Sequence, residues 1–309
     1  MSNYTENQFV SDENNSWSII IDLINEGETI LDIGCSSGNF GAEIIKRKKC
    51  IVDGIDIDSK DVKLAKEKLR QALPLNIETD PLDSITDKYD VVLMVDVIEH
   101  LVHPVDTLKR IASLLKPGGR LLFSVPNMAH VSVRLDLLQG DLDYRKVGLL
   151  DDTHLHFYTE KTLLRVLSSA GYSVEKALST TITYPKPLLE TKLNEVGLKA
   201  TPEFSANLSN TKGNVYQFVG DARPTKAVPK KQSFPNKNPH EIHFKQVEKA
   251  INDQTKHIHH LESEIKNRDE QIQQLHSRLD RIINSKLYRV ARSAAKPFIK
   301  SNKTSGRKD

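Results

Sequence analysis

The sequence predicts an α/β protein built on a doubly wound sheet, followed by a linker and a C-terminal coiled-coil helix. Three observations predict it. Short apolar runs alternate with helix-periodic segments across the first two thirds of the chain, as parallel strands and their crossover helices do. The first of these runs feeds a glycine loop, Gly34-Cys-Ser-Ser-Gly38, at the head of a helix. Beyond residue 243 the apolar residues change to a 4-3 repeat that holds for more than five heptads.

Composition bounds the remainder. A chain of 309 residues is long enough for one α/β domain plus a further element. Its net charge of +3 conceals a split: residues 221–309 carry 20 Lys/Arg against 10 Asp/Glu, and the rest carries 24 against 31. An acidic globular part with a basic tail predicts an anionic partner for the tail. Of 14 glycines, 13 lie at or before Gly220, which places the domain boundary there. Cys35 and Cys50 lack metal spacing and fit a reducing cytosol. Met1 to Asn15 has no apolar leader, and no apolar run is long enough to span a membrane. The expected divisions are 1–220 for the α/β domain, 221–243 for a Pro/Lys/Asn-rich linker, 244–285 for the coiled coil and 286–309 for a basic amphipathic tail.

Element by element, Ser16 to Asn25 is an apolar-periodic helix and Thr29 to Ile33 the first strand. A helix starts near Asn39. Cys50 to Ile55 is the second strand, and Ser59 caps a helix to about Ala72, stopped before Pro74. Leu75 to Glu78 reads as the third strand, and Tyr89 to Val95 as a central one, apolar on both faces. Asp106 to Leu115 is helical, Lys116-Pro-Gly-Gly119 turns, and Arg120 to Val125 is the fifth strand. Residues 126–152 are less regular. Thr159 caps a helix through Ala170, and strands near Tyr172 to Thr183 and Asn214 to Val219 close the sheet. In the coiled coil, the a positions run from Phe244 to Leu279 and the d positions from Val247 to Ile282, with Gln254 and Arg268 as the polar exceptions.

The glycine loop defines the ligand. Its spacing, Gly34-x-x-x-Gly38, is not the G-x-G-x-x-G of a pyrophosphate site. Asp32, two residues before it, would repel a diphosphate but accept hydrogen bonds from an ammonium. The stretch from Thr29 to Gly41 resembles motif I of class I S-adenosylmethionine (SAM)-dependent methyltransferases, with Ser36 where that family often has a middle glycine. The resemblance extends over roughly Ser16 to Gly220 and implies a Rossmann-like sheet with SAM as cofactor. Asp56 closes the second strand, where an acid can accept both ribose hydroxyls. The cofactor set expected is Asp32, Gly34, Ser36, Gly38, Asp56, Ile57, Asp80 and Val95, with Asp80 either on the adenine or a plain loop aspartate.

Asp96-Val-Ile-Glu-His-Leu101 and the Pro-Gly-Gly turn resemble the "EHL…PGG" arrangement of the same family. Methyl transfer asks the protein to align acceptor and methyl, exclude water and take the acceptor's proton. His100, His154 and Glu99 are the catalytic candidates, with a buried histidine satisfied by a neighbouring carboxylate as the other reading. In small-RNA and quinone O-methyltransferases such a segment can supply metal ligands. On that resemblance Asp96, Glu99, His100 and His154 would hold Mg²⁺ or Mn²⁺.

The blocks Pro126 to Arg134, Gly140 to Tyr144 and Asp151 to Thr159, with Ile282 to Arg289, resemble methyltransferases of bacterial surface-polysaccharide (O-antigen) clusters. That resemblance implies a glycan or glycolipid acceptor, with His130, Arg134, Asp141 and Tyr144 either lining its pocket or forming a cap over SAM. It also implies a homo-oligomer through the coiled coil. The tail would lie on an anionic membrane surface or a glycosyltransferase, or be a frayed terminus. The expected location is cytoplasmic, peripheral on the inner membrane face, and no nucleic acid is expected. Two other readings stand beside this one: a quinone-type small-molecule O-methyltransferase, and a non-catalytic coiled-coil assembly protein.

Overall fold

The computed structural model describes residues 14–225, 233–235, 244–285 and 289–290, in two compact units divided after residue 248. Seven strands form one sheet: β1 Thr29–Ile33, β2 Ile51–Asp56, β3 Gln71–Pro74, β4 Tyr89–Val95, β5 Leu115–Pro126, β6 Tyr172–Thr181 and β7 Val215–Pro224. Their order is β3-β2-β1-β4-β5-β7-β6. The first five are parallel, and β7 inserts antiparallel between β5 and β6. The chain reverses direction across the sheet between β1 and β4, which opens a crevice at the carboxyl ends of the strands.

Continuous apolar strands are explained by burial on both faces. Alternate residues separate into two cores: Leu31, Val92, Met94, Leu121 and Phe123 on one side, Ile30, Val91, Leu93 and Leu122 on the other. Helices α1 Ser16–Leu23, α2 Asn39–Lys48, α3 Ser59–Ala65, α4 Pro104–Ala112, α5 Val131–Leu138 and α6 Glu160–Ser169 come first in chain order. They are followed by α7 Lys186–Glu195, α8 Pro202–Asn210 and α9 Phe244–Ile283.

The strands β1 and β4 and the cap of α6 at Thr159 fall where the sequence places them. Other elements differ, each for a local reason. Asp58, not Ser59, caps α3, its carboxylate accepting from Lys60 N at 2.8 Å. That helix stops at Ala65 rather than Ala72, because β3 begins at Gln71, not Leu75. The register is pinned by buried Asp53, which accepts from the Arg70 guanidinium, from Gln71 Nε2 at 3.0 Å and from the Tyr89 hydroxyl at 2.8 Å. Strand β5 starts at Leu115, so the Pro-Gly-Gly turn lies within it.

Between the expected elements lie three helices the apolar pattern does not announce. Val131 and Leu135 of α5 pack on Leu189 and Leu193 of α7 with Phe204 and Leu208 of α8, a small core apart from the sheet. Strand β7 continues to Pro224, paired with Tyr172, so residues 221–224 belong to the sheet and not to the linker. Within the linker Phe234 is 1% exposed and packs against Phe218 and Phe123, at ring-centroid distances of 4.9 and 6.4 Å. Its N–H and the Ser233 hydroxyl donate to Glu160 Oε1, at 2.6 and 2.8 Å. The second unit contains most of α9, a helix of 40 residues in all. The basic tail lies outside the described residues except for Arg289 and Val290. Among the described residues no helix is long and apolar enough to cross a membrane.

Candidate active site

A cavity of about 600 Å³ occupies the crevice. Asp32, Gly34, Ser36, Asp56, Ile57 and Val95, all expected at the cofactor site, line it. The loop after β1 is shaped by two glycines with positive φ. A Cβ on Gly34 (φ 74°) would lie 2.7 Å from Val97 Cγ2, and one on Gly38 (φ 78°) 2.9 Å from the Ala65 backbone. Gly38 is therefore absent from the wall but sets how closely α3 approaches the loop. Ser36, also left-handed at φ 46°, is held by two acids: its N–H donates to Asp56 Oδ2 at 2.8 Å and its hydroxyl to Asp61 Oδ2 at 3.0 Å. Asp56 in turn accepts from Asp58 N at 2.9 Å, which fixes the carboxylate on the cavity wall.

Asp32 is 3% exposed and its Oδ2 has no hydrogen-bond partner. Burial, with the Asp56 charge behind it, pushes its carboxyl up to about 7. A desolvated acid at a cavity wall is suited to a cationic ligand and hostile to a phosphate, and these residues fit SAM, whose ammonium supplies the missing donor.

Asp80 is not on the wall. Its carboxylate turns back to accept from Asn76 N at 2.9 Å, so it braces the turn after β3. With β3 ending at Pro74, Asn76 and Glu78 take the wall position instead. Trp17 and Phe40, whose rings pack at 4.7 Å, also line the cavity. Neither was among the expected site residues, although Phe40 lies within the Thr29–Gly41 stretch and Trp17 is the chain's one tryptophan.

The 3₁₀ turn Ile98–His100 carries two of the catalytic candidates, Glu99 and His100. His100 is on the wall. Its Nδ1 lies 3.1 Å from the Thr153 carbonyl, which can only accept, so the neutral tautomer that fits this contact has its proton on Nδ1. The same logic applies to His154: Nδ1 faces the Leu149 carbonyl at 3.3 Å, leaving the Nε2 lone pair 3.9 Å from Glu99 Oε1. Burial and the neighbouring His100 hold His154 below its ordinary pKa, hence neutral. Glu99 is 1% exposed and neither of its oxygens has a hydrogen-bond partner. Burial, followed by the Asp96 charge, raises its pKa well above the carboxylate range. The Tyr158 hydroxyl is likewise buried and unpartnered.

The Glu99 carboxyl thus lies beside two imidazoles without a hydrogen bond to either, and the ligand atoms of Glu99, His100 and His154 lie within 4.8 Å of one another. That arrangement fits a divalent cation. Asp96, expected as a fourth ligand, is not part of the cluster: in its left-handed conformation (φ 55°) its Oδ1 accepts from Ser124 Oγ at 2.7 Å and Gln217 Nε2 at 2.9 Å. Two imidazoles and one carboxylate suit Mn²⁺ or Zn²⁺ better than Mg²⁺, which prefers oxygen ligands.

The expected acceptor-pocket residues are elsewhere. His130 is the N-cap of α5, with Nδ1 accepting from Ser132 N and Nε2 donating to the Ile182 carbonyl. The Arg134 guanidinium binds the carbonyls of Ala129 and Thr211. Asp141 and Tyr144 are exposed, and none of the four lines the cavity.

A methyltransferase-domain family model matches residues 16–177. The ubiquinone biosynthesis O-methyltransferase of Aeromonas salmonicida is 29% identical over 153 residues, covering 48% of this chain and 64% of that protein. The protein of the same name from Coxiella burnetii (strain RSA 493 / Nine Mile phase I) is 30% identical over 106 residues, 33% of this chain and 45% of that one. The chain thus spans about half to two thirds of the length of these curated relatives. Among solved structures, a SAM-dependent methyltransferase from Archaeoglobus fulgidus aligns over 68% of this chain and 91% of its own, with 19% identity and a TM-score of 0.48.

Proposed function

The chain belongs to the methyltransferase-domain family, and from that premise we propose that it methylates a hydroxyl group of a small molecule with SAM as the donor. One observation carries the reading: His100 lies on the same cavity wall as Asp32 and Asp56, with its Nδ1 and not its Nε2 held by the Thr153 carbonyl. SAM supplies an electrophilic methyl group. Asp32 receives its ammonium and Asp56 its ribose hydroxyls. Val95, at the end of β4, lies on the same wall, and His100 takes the acceptor's proton as the new O–C bond forms and the sulfonium–methyl bond breaks, leaving the neutral thioether S-adenosylhomocysteine.

With a divalent cation held by Glu99, His100 and His154, the His100 lone pair would be spent on the ion, and the ion, in place of the imidazole as base, would make the acceptor hydroxyl more acidic. The curated relatives are named O-methyltransferases, which supports an oxygen acceptor of the quinone-precursor kind. The glycan acceptor expected from the 126–144 region has less support, since His130 and Arg134 spend their polar groups on backbone and the Ser132 side chain. Incubation with SAM carrying a labelled methyl group decides between them. Label in a catechol or hydroquinone, lost in His100→Ala, supports the reading; label only in a cell-envelope polysaccharide fraction overturns it.

A further inference from the structure

We propose that α9 is the dimerisation element of this protein and that two copies associate as a parallel, in-register coiled coil. The described part of α9 displays Ile258, Leu261, Ile265, Ile272, Leu275 and Leu279, each between 42% and 62% exposed. They recur at alternating steps of three and four residues, an average of 3.5. On a straight helix such a stripe drifts by ~20° per heptad, about 100° over five heptads, so no flat surface covers it along its length. A second helix that supercoils with the first does cover it.

Isoleucine at a (Ile258, Ile265, Ile272) with leucine at d (Leu261, Leu275) is the pattern that packs best as two parallel strands. Charge specifies the orientation. Arg268 interrupts the seam at a d position, and Glu264 (g) and Asp269 (e) flank it. In a parallel, in-register pair, Glu264 of one helix faces Asp269 of the other, a repulsive contact. Arg268 then lies at that layer, four residues after Glu264 on its own helix and against Asp269 of the second copy. The two irregularities cancel each other. In the antiparallel pairing that overlaps the full helix, Ile265 meets Leu261, and Glu262 and Glu264 each meet their own counterpart. Arg268 is then displaced from both contacts and faces Ile258. The parallel arrangement alone adds Asp269 of the second copy to the Glu264 of the same helix, so the two Arg268 side chains that share this layer meet four carboxylates.

The full-length chain tests this. Sedimentation equilibrium should give twice the 34.9 kDa of one chain. Ile265→Asp with Ile272→Asp should raise the dimer dissociation constant by at least about a hundredfold, because each layer then buries two carboxylates. Both residues are exposed in the single chain, so the substitutions leave the folded domain intact, as an unchanged circular dichroism spectrum of the sheet domain and unchanged SAM binding would verify. Arg268→Glu should weaken the dimer in the same direction, and Arg268→Leu should not.

Orientation is read by Leu279→Cys under mild oxidation. Parallel helices place the two thiols in one a layer and crosslink quantitatively, whereas antiparallel helices hold them about 48 Å apart. Cys35 and Cys50 are buried and do not compete. A monomer at tens of micromolar, a trimer, or failure of Leu279→Cys to crosslink would each overturn the proposal.

Discussion

Glu99 Oε1 lies 3.9 Å from His154 Nε2, beyond hydrogen-bond distance, and neither Glu99 oxygen has a hydrogen-bond partner. A buried carboxyl with no hydrogen-bond partner, beside a neutral imidazole, gains a charge partner when a cation displaces the proton that burial favours on it. Equilibrium dialysis against Mn²⁺ or Zn²⁺ should retain one ion per wild-type chain and none in Glu99→Gln. Turnover should fall by about a hundredfold in Glu99→Gln and in His154→Gln, while the dissociation constant for SAM, measured calorimetrically, should change by less than about threefold.

The raised Asp32 pKa gives SAM binding a pH dependence of known sign. The folded-state pKa, about 7, lies above the ordinary 3.8, so the fold favours the protonated acid. Stability of the ligand-free protein therefore declines as pH rises from about 4 to about 7 and stays at the lower level above it. SAM needs the ionised acid, so affinity should be about tenfold weaker at pH 6 than at pH 7.5, with proton release on binding at pH 6. Calorimetry in two buffers of different ionisation enthalpy measures that release. Asp32→Asn should abolish it, weaken SAM binding, and raise the ligand-free Tm above pH 7.

At Gly38 a methyl group would strike the backbone of Ala65 at 2.9 Å, in a backbone conformation at φ 78°. Gly38→Ala should cost about 2–3 kcal/mol in urea unfolding and weaken SAM binding about tenfold, because α3 must move away from the loop that it braces. Gly118→Ala is the control. It also has a positive φ, of 79°, but a Cβ there meets nothing within 4 Å, so it should cost less and leave SAM binding unchanged.

Phe234 joins a segment that reads as linker to the core of the sheet. Phe234→Ala should destabilise the domain by about 3 kcal/mol in denaturant titration, as loss of a buried aromatic does, with SAM affinity unaltered. A chain ending at residue 225 should lose a comparable amount. Equal stability of that truncated chain and the full one would show that the Phe234 contact contributes nothing.

Much of the cofactor subsite was legible in the sequence because its information is local. Asp32, Gly34, Gly38 and Asp56 occupy fixed offsets from strand ends, and a strand end followed by a glycine loop has few geometries open to it. Asp80 takes the second of its two expected roles, a loop aspartate, through a small shift in the chain. A four-residue shift of β3, fixed by the Asp53–Arg70 pairing, moved the wall to Asn76 and Glu78. The helices α5, α7 and α8 left no clear periodic signal, since their apolar residues meet each other rather than the sheet.

By itself the sequence determined the doubly wound sheet, the glycine cradle and the 4-3 stripe of α9, all of which follow from spacing along one segment. Tertiary structure decided which polar groups remain free for chemistry. His130 and Arg134 were removed from the acceptor list by backbone carbonyls distant in the chain, and Asp96 was taken from the metal set by Ser124 and Gln217. Glu99 and His154 were left facing each other at 3.9 Å without a hydrogen bond between them. The physical reason is that a side chain's identity fixes what it can bond, but only the packed fold fixes which partners reach it before a ligand does.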